Sequence, residues 1–241
     1  MLGGLRRRLF GISSKAVDFQ PDILAFSAIF SSAHPFLMRA VEVLKAHWPE
    51  AVSVLGGMHP SNCADALLEH PQVDYVGVGE AEIGFTDFVR AFNGPDRGLV
   101  QGFHTRESLQ PGACPVQCEM PQELDALPFP DRARLPNHLY RTIDAQPMTC
   151  IIAMRGCPAG CTYCNVPAIA GQRVRRRAAS SVVAEMEQVL ARWRIHHVAF
   201  LDDTFTTSRA WVMDLCDQIH AAGLQESMSW SVLTRPDLVD P

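Results

Sequence analysis

Apolar runs of strand length alternate along this chain with stretches of helical periodicity. Such runs occupy residues 23–30, 52–55 and 73–78, and the first is followed by Leu37 and Val41 at helical spacing. Short apolar strands that alternate with amphipathic helices pair in parallel, because each helix carries the chain back across one face of the sheet. The first hundred residues are therefore predicted to form an α/β domain of the doubly wound type.

The second half repeats this alternation after a long interruption. Residues 94–147 are rich in Pro, Gly and charged side chains, and Leu-Pro-Phe-Pro at 127–130 favours a stiff, extended spacer. Three more strands, separated by amphipathic helices, are predicted at 149–154, 198–201 and 229–233. The predicted boundaries give a first domain, a linker and a second domain at residues 1–100, 101–147 and 148–241.

The composition is typical of an ordinary globular protein. The 241 residues carry 21 Lys and Arg against 26 Asp and Glu, a formal charge of -5, and 47% of them are apolar. This balance argues against a polybasic nucleic-acid-binding protein, and the basic run at 173–177 is predicted to be a solvated turn. No apolar run approaches the roughly 18 residues that span a bilayer, and no secretory signal follows the arginines at 6–8. We therefore predict a cytoplasmic protein with no membrane span and no nucleic-acid partner.

Three of the eight cysteines fall within eight residues. Cys157, Cys161 and Cys164 are spaced Cys-x3-Cys-x2-Cys, and thiolates are soft ligands that suit iron-sulfur clusters or zinc. A structural zinc site needs four ligands, and the nearest upstream candidate, Cys150, lies inside a predicted strand. Three thiolates can instead hold three irons of a [4Fe-4S] cluster and leave the fourth iron open. A zinc-binding fragment remains the alternative.

This loop resembles the hallmark of the radical S-adenosylmethionine (SAM) enzymes, in which Cys-x3-Cys-x-aromatic-Cys follows the first strand of a partial (β/α) barrel. Tyr163 holds the aromatic position. The resemblance implies that Cys157, Cys161 and Cys164 are the catalytic metal ligands and that SAM binds the open iron. Reductive cleavage of SAM would then give methionine and a 5'-deoxyadenosyl radical, which abstracts hydrogen from a small-molecule substrate. An external electron donor of the flavodoxin or ferredoxin type is implied.

Further SAM contacts are implied by the same resemblance. Tyr163 is one of them. Asp202 and Asp203 follow the second predicted barrel strand, where similar enzymes carry an acidic or polar turn that meets the SAM ammonium or ribose. Either aspartate could instead cap the helix that begins near Ser208. Arg235, after the third strand, could pair with the SAM carboxylate or could be an ordinary surface arginine.

The first half resembles the cobalamin-binding domain that precedes many radical SAM cores. The resemblance is carried by Ser27, Gly56-Gly57 and Gly79-Glu80, each at the end of a predicted strand, where doubly wound sheets bind ligands. The family's Asp-x-His-x-x-Gly motif is absent. Some family members bind cobalamin without a protein ligand to cobalt, so the resemblance leaves cobalamin binding open. His34 and His59 do not substitute for that motif by position and are predicted to be loop or surface histidines.

Anaerobic magnesium-protoporphyrin ester cyclases and cobalamin-dependent methylases are the nearest analogies. They imply methyl transfer, cyclisation or rearrangement, with a methylthiotransferase-type enzyme without cobalamin as the alternative. Against that family, both the Rossmann-like first domain and the TIM-like barrel are expected to be incomplete. The chain is accordingly expected to be a fragment, a split subunit or a misassigned reading frame, with a complementary chain that completes the barrel.

Overall fold

The computed structural model describes residues 20–94, 100–110 and 112–239. The arginines at 6–8, on which the secretory argument depends, lie outside the described residues. The chain divides into two compact units between Pro121 and Gln122. Each unit has a sheet and a hydrophobic core of its own.

The first unit contains a four-stranded sheet in the order β1-β2-β3-β4, with the first three strands parallel and β4 antiparallel. The strands are β1 (Ile23–Ser27), β2 (Val52–Gly56), β3 (Tyr75–Gly77) and β4 (Phe103–His104). The helices are α1 (His34–His47), α2 (Met58–Asn62), α3 (Ala64–Leu68) and α4 (Glu82–Ala91). Pro35 lies in the first turn of α1, where its missing N–H costs no helical hydrogen bond.

Helices pack on both faces of this sheet. Leu55 and Val76 belong to a core cluster that contains α1 and α3 residues, whereas their neighbours Val54 and Tyr75 belong to another that contains Phe88 of α4. Successive residues of a strand point to opposite faces, so strands buried on both sides need continuous apolar runs. This arrangement confirms the predicted doubly wound α/β architecture.

The second unit contains a parallel three-stranded sheet in the order β5-β8-β9 and a short antiparallel ribbon of β6 and β7. The strands are β5 (Met148–Ile151), β6 (Met154–Arg155), β7 (Arg175–Arg176), β8 (His197–Phe200) and β9 (Ser229–Ser231). The helices are α5 (Val166–Ala170), α6 (Ala179–Trp193) and α7 (Arg209–Ala221). Parallel strands joined through helices are the expected start of a (β/α) barrel.

One face of the second sheet packs against two helices, and apolar residues that follow its strands are exposed. Ile151 and Phe200 are buried in a single core cluster with residues of α6 and α7. Ile152, Leu201 and Leu233, which follow the three parallel strands, are exposed. The open apolar positions therefore lie at the carboxyl ends of the strands, the end where barrel proteins bind ligands. Among residues 20–94, 100–110 and 112–239, no helix combines the length and apolar character needed to cross a membrane.

The boundary between the units differs from the predicted linker. β4 pairs with β3, and Leu109 and Cys118 are buried in the first unit, so that unit continues well beyond residue 100. In the second unit, the Arg177 guanidinium lies 5.1 Å from the Phe129 ring centre. Composition alone did not indicate that these Pro- and Gly-rich stretches pack against the sheets on either side.

A buried charge network anchors the segment before β5. Arg132 is 1% exposed and donates to Glu185 Oε1 at 2.6 Å and to the Cys150 carbonyl at 2.8 Å. Arg177 donates to the other oxygen of Glu185. The predicted solvated turn at 173–177 is wrong for Arg175 and Arg177, which are buried. The buried Glu185 carboxylate needs such cationic partners, and Arg132 lies 53 residues before it in the sequence.

Candidate cluster and cofactor sites

The three clustered cysteines lie on a loop that leaves β6 and leads into α5. Gly156 opens this loop at φ +93°, and a Cβ there would lie 2.5 Å from the Arg173 carbonyl oxygen, so only glycine fits. The Cys157 N–H donates to Gly171 O and the Cys164 N–H to Cys161 O, which fixes the shape of the loop. Cys157 is buried, Cys161 is half-buried and Cys164 is exposed.

Side chains from the next two β/α units reach two of these sulfurs. The Thr204 hydroxyl, after β8, lies 3.2 Å from Cys157 Sγ. Arg235, after β9, donates from Nη1 to Cys161 Sγ at 3.1 Å. The turns after β8 and β9 thus converge with the loop after β6 on one group of thiols. Thr204 was not predicted as a site residue, although it lies in the same polar turn as the two predicted aspartates.

The two aspartates of that turn have different environments. Asp202 is 1% exposed, and its Oδ1 accepts the N–H groups of Ala153 and Met154 at 2.8 and 2.7 Å. Its Oδ2 is buried without a partner. Burial raises the pKa of Asp202 to about 6, against the opposing effect of the two backbone donors. Asp203 is exposed. Asp202 therefore holds the backbone between β5 and β6, whereas the neighbouring Asp203 lies at the surface.

Neither aspartate caps the following helix. The Ser208 side chain accepts the Trp211 N–H and is itself the N-cap of α7. This geometry removes the alternative that the acidic turn serves only as a helix cap. Tyr163, the aromatic residue of the loop, is 91% exposed, so its ring is accessible to a bound ligand.

The donor chemistry of the loop fits an iron-sulfur cluster better than a single metal ion. Within residues 20–94, 100–110 and 112–239, no three Cys, His, Asp or Glu side chains are placed to hold one ion together. A structural zinc ion needs four ligands around one point. Thiolates of a [4Fe-4S] cluster each bind a different iron, so three sulfurs on one open loop satisfy that requirement without meeting at one point.

A cavity of about 180 Å³ lies beside this region. Ile152, Leu201 and Arg155 line it, together with the Leu-Pro-Phe-Pro segment at 127–130. Ile152 and Leu201 directly follow β5 and β8. The cavity therefore offers a mainly apolar space at the carboxyl ends of the strands, next to the start of the cysteine loop.

The predicted cobalamin residues lie together at the carboxyl edge of the first sheet. Ser27 pairs with Gly56 at the ends of β1 and β2. Gly57 follows at φ +98°, where a Cβ would lie 2.7 Å from the Ala28 carbonyl oxygen. Gly79, at φ +87°, donates its N–H to Ser61 Oγ at 3.0 Å, and Glu80 is half-buried beside it. This edge is formed mainly by backbone.

Two histidines lie near the same edge. His59 is buried and not on the surface as the sequence suggested, because its short helix packs it between neighbours. Its Nε2 lies 3.0 Å from His34 Nδ1 and its Nδ1 lies 3.1 Å from Ser31 Oγ. Burial, and secondly the nearby His34, lower the pKa of His59. Both ring nitrogens of His59 are therefore occupied by protein groups.

Two known protein families match the chain. The B12 binding domain matches residues 4–89 and the Radical SAM superfamily matches residues 151–240. The chain combines a B12-binding domain with a radical SAM domain. This result confirms the family predicted from the cysteine loop and from the strand-end motifs of the first half.

Relatives of the chain include a methyltransferase and a cyclase. An uncharacterized methyltransferase of Pyrococcus horikoshii is 28% identical over 223 residues, which are 90% of this chain and 47% of that protein. The anaerobic magnesium-protoporphyrin IX monomethyl ester cyclase of Cereibacter sphaeroides is 27% identical over 237 residues, 93% of this chain and 37% of the cyclase. The chain therefore spans less than half the length of these curated relatives.

The fold is also found in a solved structure. The cobalamin-dependent S-adenosylmethionine radical enzyme OxsB, with aqua-cobalamin and S-adenosylmethionine bound, superposes with a TM-score of 0.75 at 15% identity. The match covers 97% of this chain and 33% of OxsB. It confirms the predicted fold class, a B12-binding-type α/β domain followed by a radical SAM domain.

Proposed function

We propose that Cys157, Cys161 and Cys164 hold a [4Fe-4S] cluster and that the radical SAM domain uses it with SAM. The observation that carries this proposal is the convergence of Thr204 and Arg235 on the Cys157 and Cys161 sulfurs. A loop of inert thiols has no need of polar side chains from two later β/α units. Metal-ligand thiolates do, because polar neighbours orient them, and a hydrogen bond such as that from Arg235 to Cys161 sets their electronic properties.

Other residues of the second unit are proposed to bind SAM or to support the cysteine loop. When bound, the cluster and SAM would supply one-electron reductive cleavage of the sulfonium to methionine and a 5'-deoxyadenosyl radical. Asp203, which is exposed, would pair with the SAM ammonium. Tyr163 would contact SAM through its exposed ring. Asp202 would keep the β5–β6 turn in place through its two backbone hydrogen bonds.

The B12-binding domain supports a proposed cobalamin site at the carboxyl edge of its sheet. Gly57 and Gly79 adopt positive φ angles there, and turns without side chains let a large planar ligand approach the backbone. Ser27 and Glu80 would supply polar contacts beside them. No residue of the chain is proposed as a ligand to cobalt.

The proposed reaction is methyl transfer to a small-molecule substrate, because one relative of the chain is described as a methyltransferase. Cyclisation is the second candidate, since the cyclase of C. sphaeroides aligns over 93% of the chain. An electron donor of the flavodoxin or ferredoxin class is proposed as a partner. All eight cysteines are free, which supports a reducing compartment such as the cytoplasm.

Anaerobic reconstitution tests the cluster. The wild-type chain, supplied with iron and sulfide, is expected to turn brown and bind about four irons per chain. Replacement of Cys157, Cys161 and Cys164 by serine should abolish both signals. A matched variant with serine at the exposed Cys114, Cys150 and Cys216 should retain them. Colourless wild-type protein that binds one zinc ion would establish the zinc-binding alternative instead.

Two further measurements test SAM and cobalamin. The reconstituted chain with dithionite and SAM is expected to form 5'-deoxyadenosine, measured by mass spectrometry. Incubation with hydroxocobalamin followed by gel filtration should leave a corrinoid spectrum on the protein. Deoxyadenosine formation without a retained corrinoid would favour the methylthiotransferase-type alternative.

A further inference from the structure

Arg235 is held in place at the cysteine loop by its own segment. The Phe205 N–H donates to Leu233 O at 2.9 Å, and the hydroxyls of Thr206 and Thr234 are hydrogen-bonded to each other. These bonds tie the chain after β9 to the turn after β8. The backbone that carries Arg235 is thereby fixed relative to the turn after β8, which places Thr204 beside Cys157.

The guanidinium is also oriented from one side. Asp237 accepts from Nε and from Nη2 of Arg235, both at 2.9 Å, in a bidentate pair. Nη1 is left to donate to Cys161 Sγ at 3.1 Å. The hydrogen bond with Asp237, and then the charges of Asp237 and Cys161, raise the pKa of Arg235 above its ordinary value. A planar fork held on one edge presents its remaining donor in a defined direction, which a lysine could not do.

We propose that Arg235 is a positioning residue that raises the reduction potential of the cluster through its hydrogen bond to the Cys161 sulfur. The inference rests on the proposed function, because it requires Cys161 to be a cluster ligand. Reduction adds one electron from the external donor and one negative charge to the cluster. A cationic donor at a ligand sulfur stabilises this extra charge, since hydrogen bonds to the sulfurs and net charge set cluster potentials.

Both consequences of removing Arg235 act in the same direction. The sulfur loses its charge-assisted donor, and the Asp237 carboxylate remains nearby without its cationic partner. Each change disfavours the more negative, reduced cluster. Arg235→Gln is therefore expected to lower the potential, and Arg235→Lys, which keeps the charge but not the fork, to lower it less.

The resemblance to radical SAM enzymes implied a different role for Arg235, as a partner of the SAM carboxylate. The two roles are separable because the potential can be measured without SAM. A residue that binds only SAM leaves the SAM-free potential unchanged and weakens SAM binding. A residue that donates to Cys161 shifts the SAM-free potential.

The test is an EPR-monitored redox titration of the reconstituted chain without SAM. Wild type, Arg235→Gln and Arg235→Lys are compared at equal iron content. Arg134→Gln is the matched control, because Arg134 likewise pairs with a nearby aspartate, Asp131, and its side chain is 89% exposed. Arg235→Gln is expected to reduce the ratio of reduced to oxidised cluster at least tenfold at a fixed potential, about 59 mV for one electron. Arg134→Gln should match wild type.

The outcomes separate this inference from the proposed function. A wild-type chain that binds no cluster overturns both. A bound cluster with equal potentials in wild type and both Arg235 variants overturns only the inference. Unchanged potentials with weaker SAM binding would instead establish the SAM-carboxylate role. Folded Arg235 variants that both fail to bind iron would assign Arg235 to cluster assembly and also overturn the inference.

Discussion

The two candidate ligand sites are formed from different parts of the chain. At the carboxyl edge of the first sheet, Gly57 and Gly79 provide backbone turns at positive φ. At the corresponding edge of the second sheet, Thr204, Arg235 and Asp202 contribute side chains that hold sulfur atoms or backbone N–H groups. The chemistry of a site built from side chains can be inferred from the residue types in the sequence. A site built from backbone reveals only the shape of its turns, through its glycines.

The largest effect is expected for the buried carboxylate of the second unit. Glu185→Ala would leave Arg132 buried without its anion and Arg177 with only Asp125, at 3.9 Å, at a cost of about 3–5 kcal/mol in the free energy of unfolding. Hydrogen exchange of α6 amides in increasing urea measures this loss in the free energy of unfolding. Glu187→Ala, on an exposed turn of the same helix, should change the value by less than about 0.5 kcal/mol. Equal effects would show that the network does not stabilise this unit.

Two adjacent glycines test the backbone-built edge of the first unit. Gly57→Ala combines a backbone region reserved for glycine with a Cβ 2.7 Å from Ala28 O, and should cost about 3 kcal/mol. Gly56→Ala is the matched control, because its Cβ would meet nothing closer than 3.9 Å. Hydrogen exchange of α1 amides in urea reports the stability of this unit. Tolerance of Gly57→Ala would contradict the contrast between the two sites.

Asp202 gives the second unit a defined pH dependence. Its pKa is about 6 in the folded chain, above the ordinary 3.8, so the folded state retains a proton that the unfolded state releases. Its stabilising contribution is full below about pH 4 and is lost as the pH rises through 6. Between pH 4 and 7 the wild type should lose about 2 kcal/mol relative to Asp202→Asn.

Urea unfolding of both proteins across this pH range measures the difference. Asparagine keeps an oxygen for the two backbone N–H groups and does not titrate, so all other ionisable groups cancel in the comparison. Parallel pH profiles would show that the buried carboxyl does not change its protonation in this range.

The smallest effect is expected for the exposed aspartate. Asp203→Asn should weaken SAM binding to the reconstituted chain about tenfold, equivalent to about 1.4 kcal/mol, by removing a charge from the partner of the SAM ammonium. Equilibrium dialysis with labelled SAM measures the change. Asp217→Asn, on α7, is the control. Unaltered affinity in Asp203→Asn would leave the acidic turn without a ligand role.

The sequence predicted the parallel strands of both sheets because their apolar residues form local runs, and it did not predict the short antiparallel strands β4 and β7. It did not predict that the run at 149–154 divides into β5 and β6. The division occurs where Asp202 accepts the N–H groups of Ala153 and Met154, and Asp202 lies 48 residues or more away. Contacts across such separations leave no periodic pattern, so local patterns cannot reveal them.

The candidate sites were predictable to different extents. The spacing of Cys157, Cys161 and Cys164 identified the loop without any structure. It did not identify Thr204 as a neighbour of Cys157, nor did it distinguish buried Asp202 from exposed Asp203. Two adjacent aspartates cannot be distinguished by residue type. Only the position of each side chain relative to the β5–β6 turn shows which one accepts the backbone N–H groups.

The cysteine loop also has a gradient of accessibility, from buried Cys157 through half-buried Cys161 to exposed Cys164. Thiols are attacked by oxidants in proportion to their exposure and thiolate character. Damage by air should therefore begin at Cys164, while Cys157 is shielded longest. If the loop holds the proposed cluster, a preparation handled in air would first lose the bond between Cys164 and its iron. Chelators would also reach the iron from the side of Cys164.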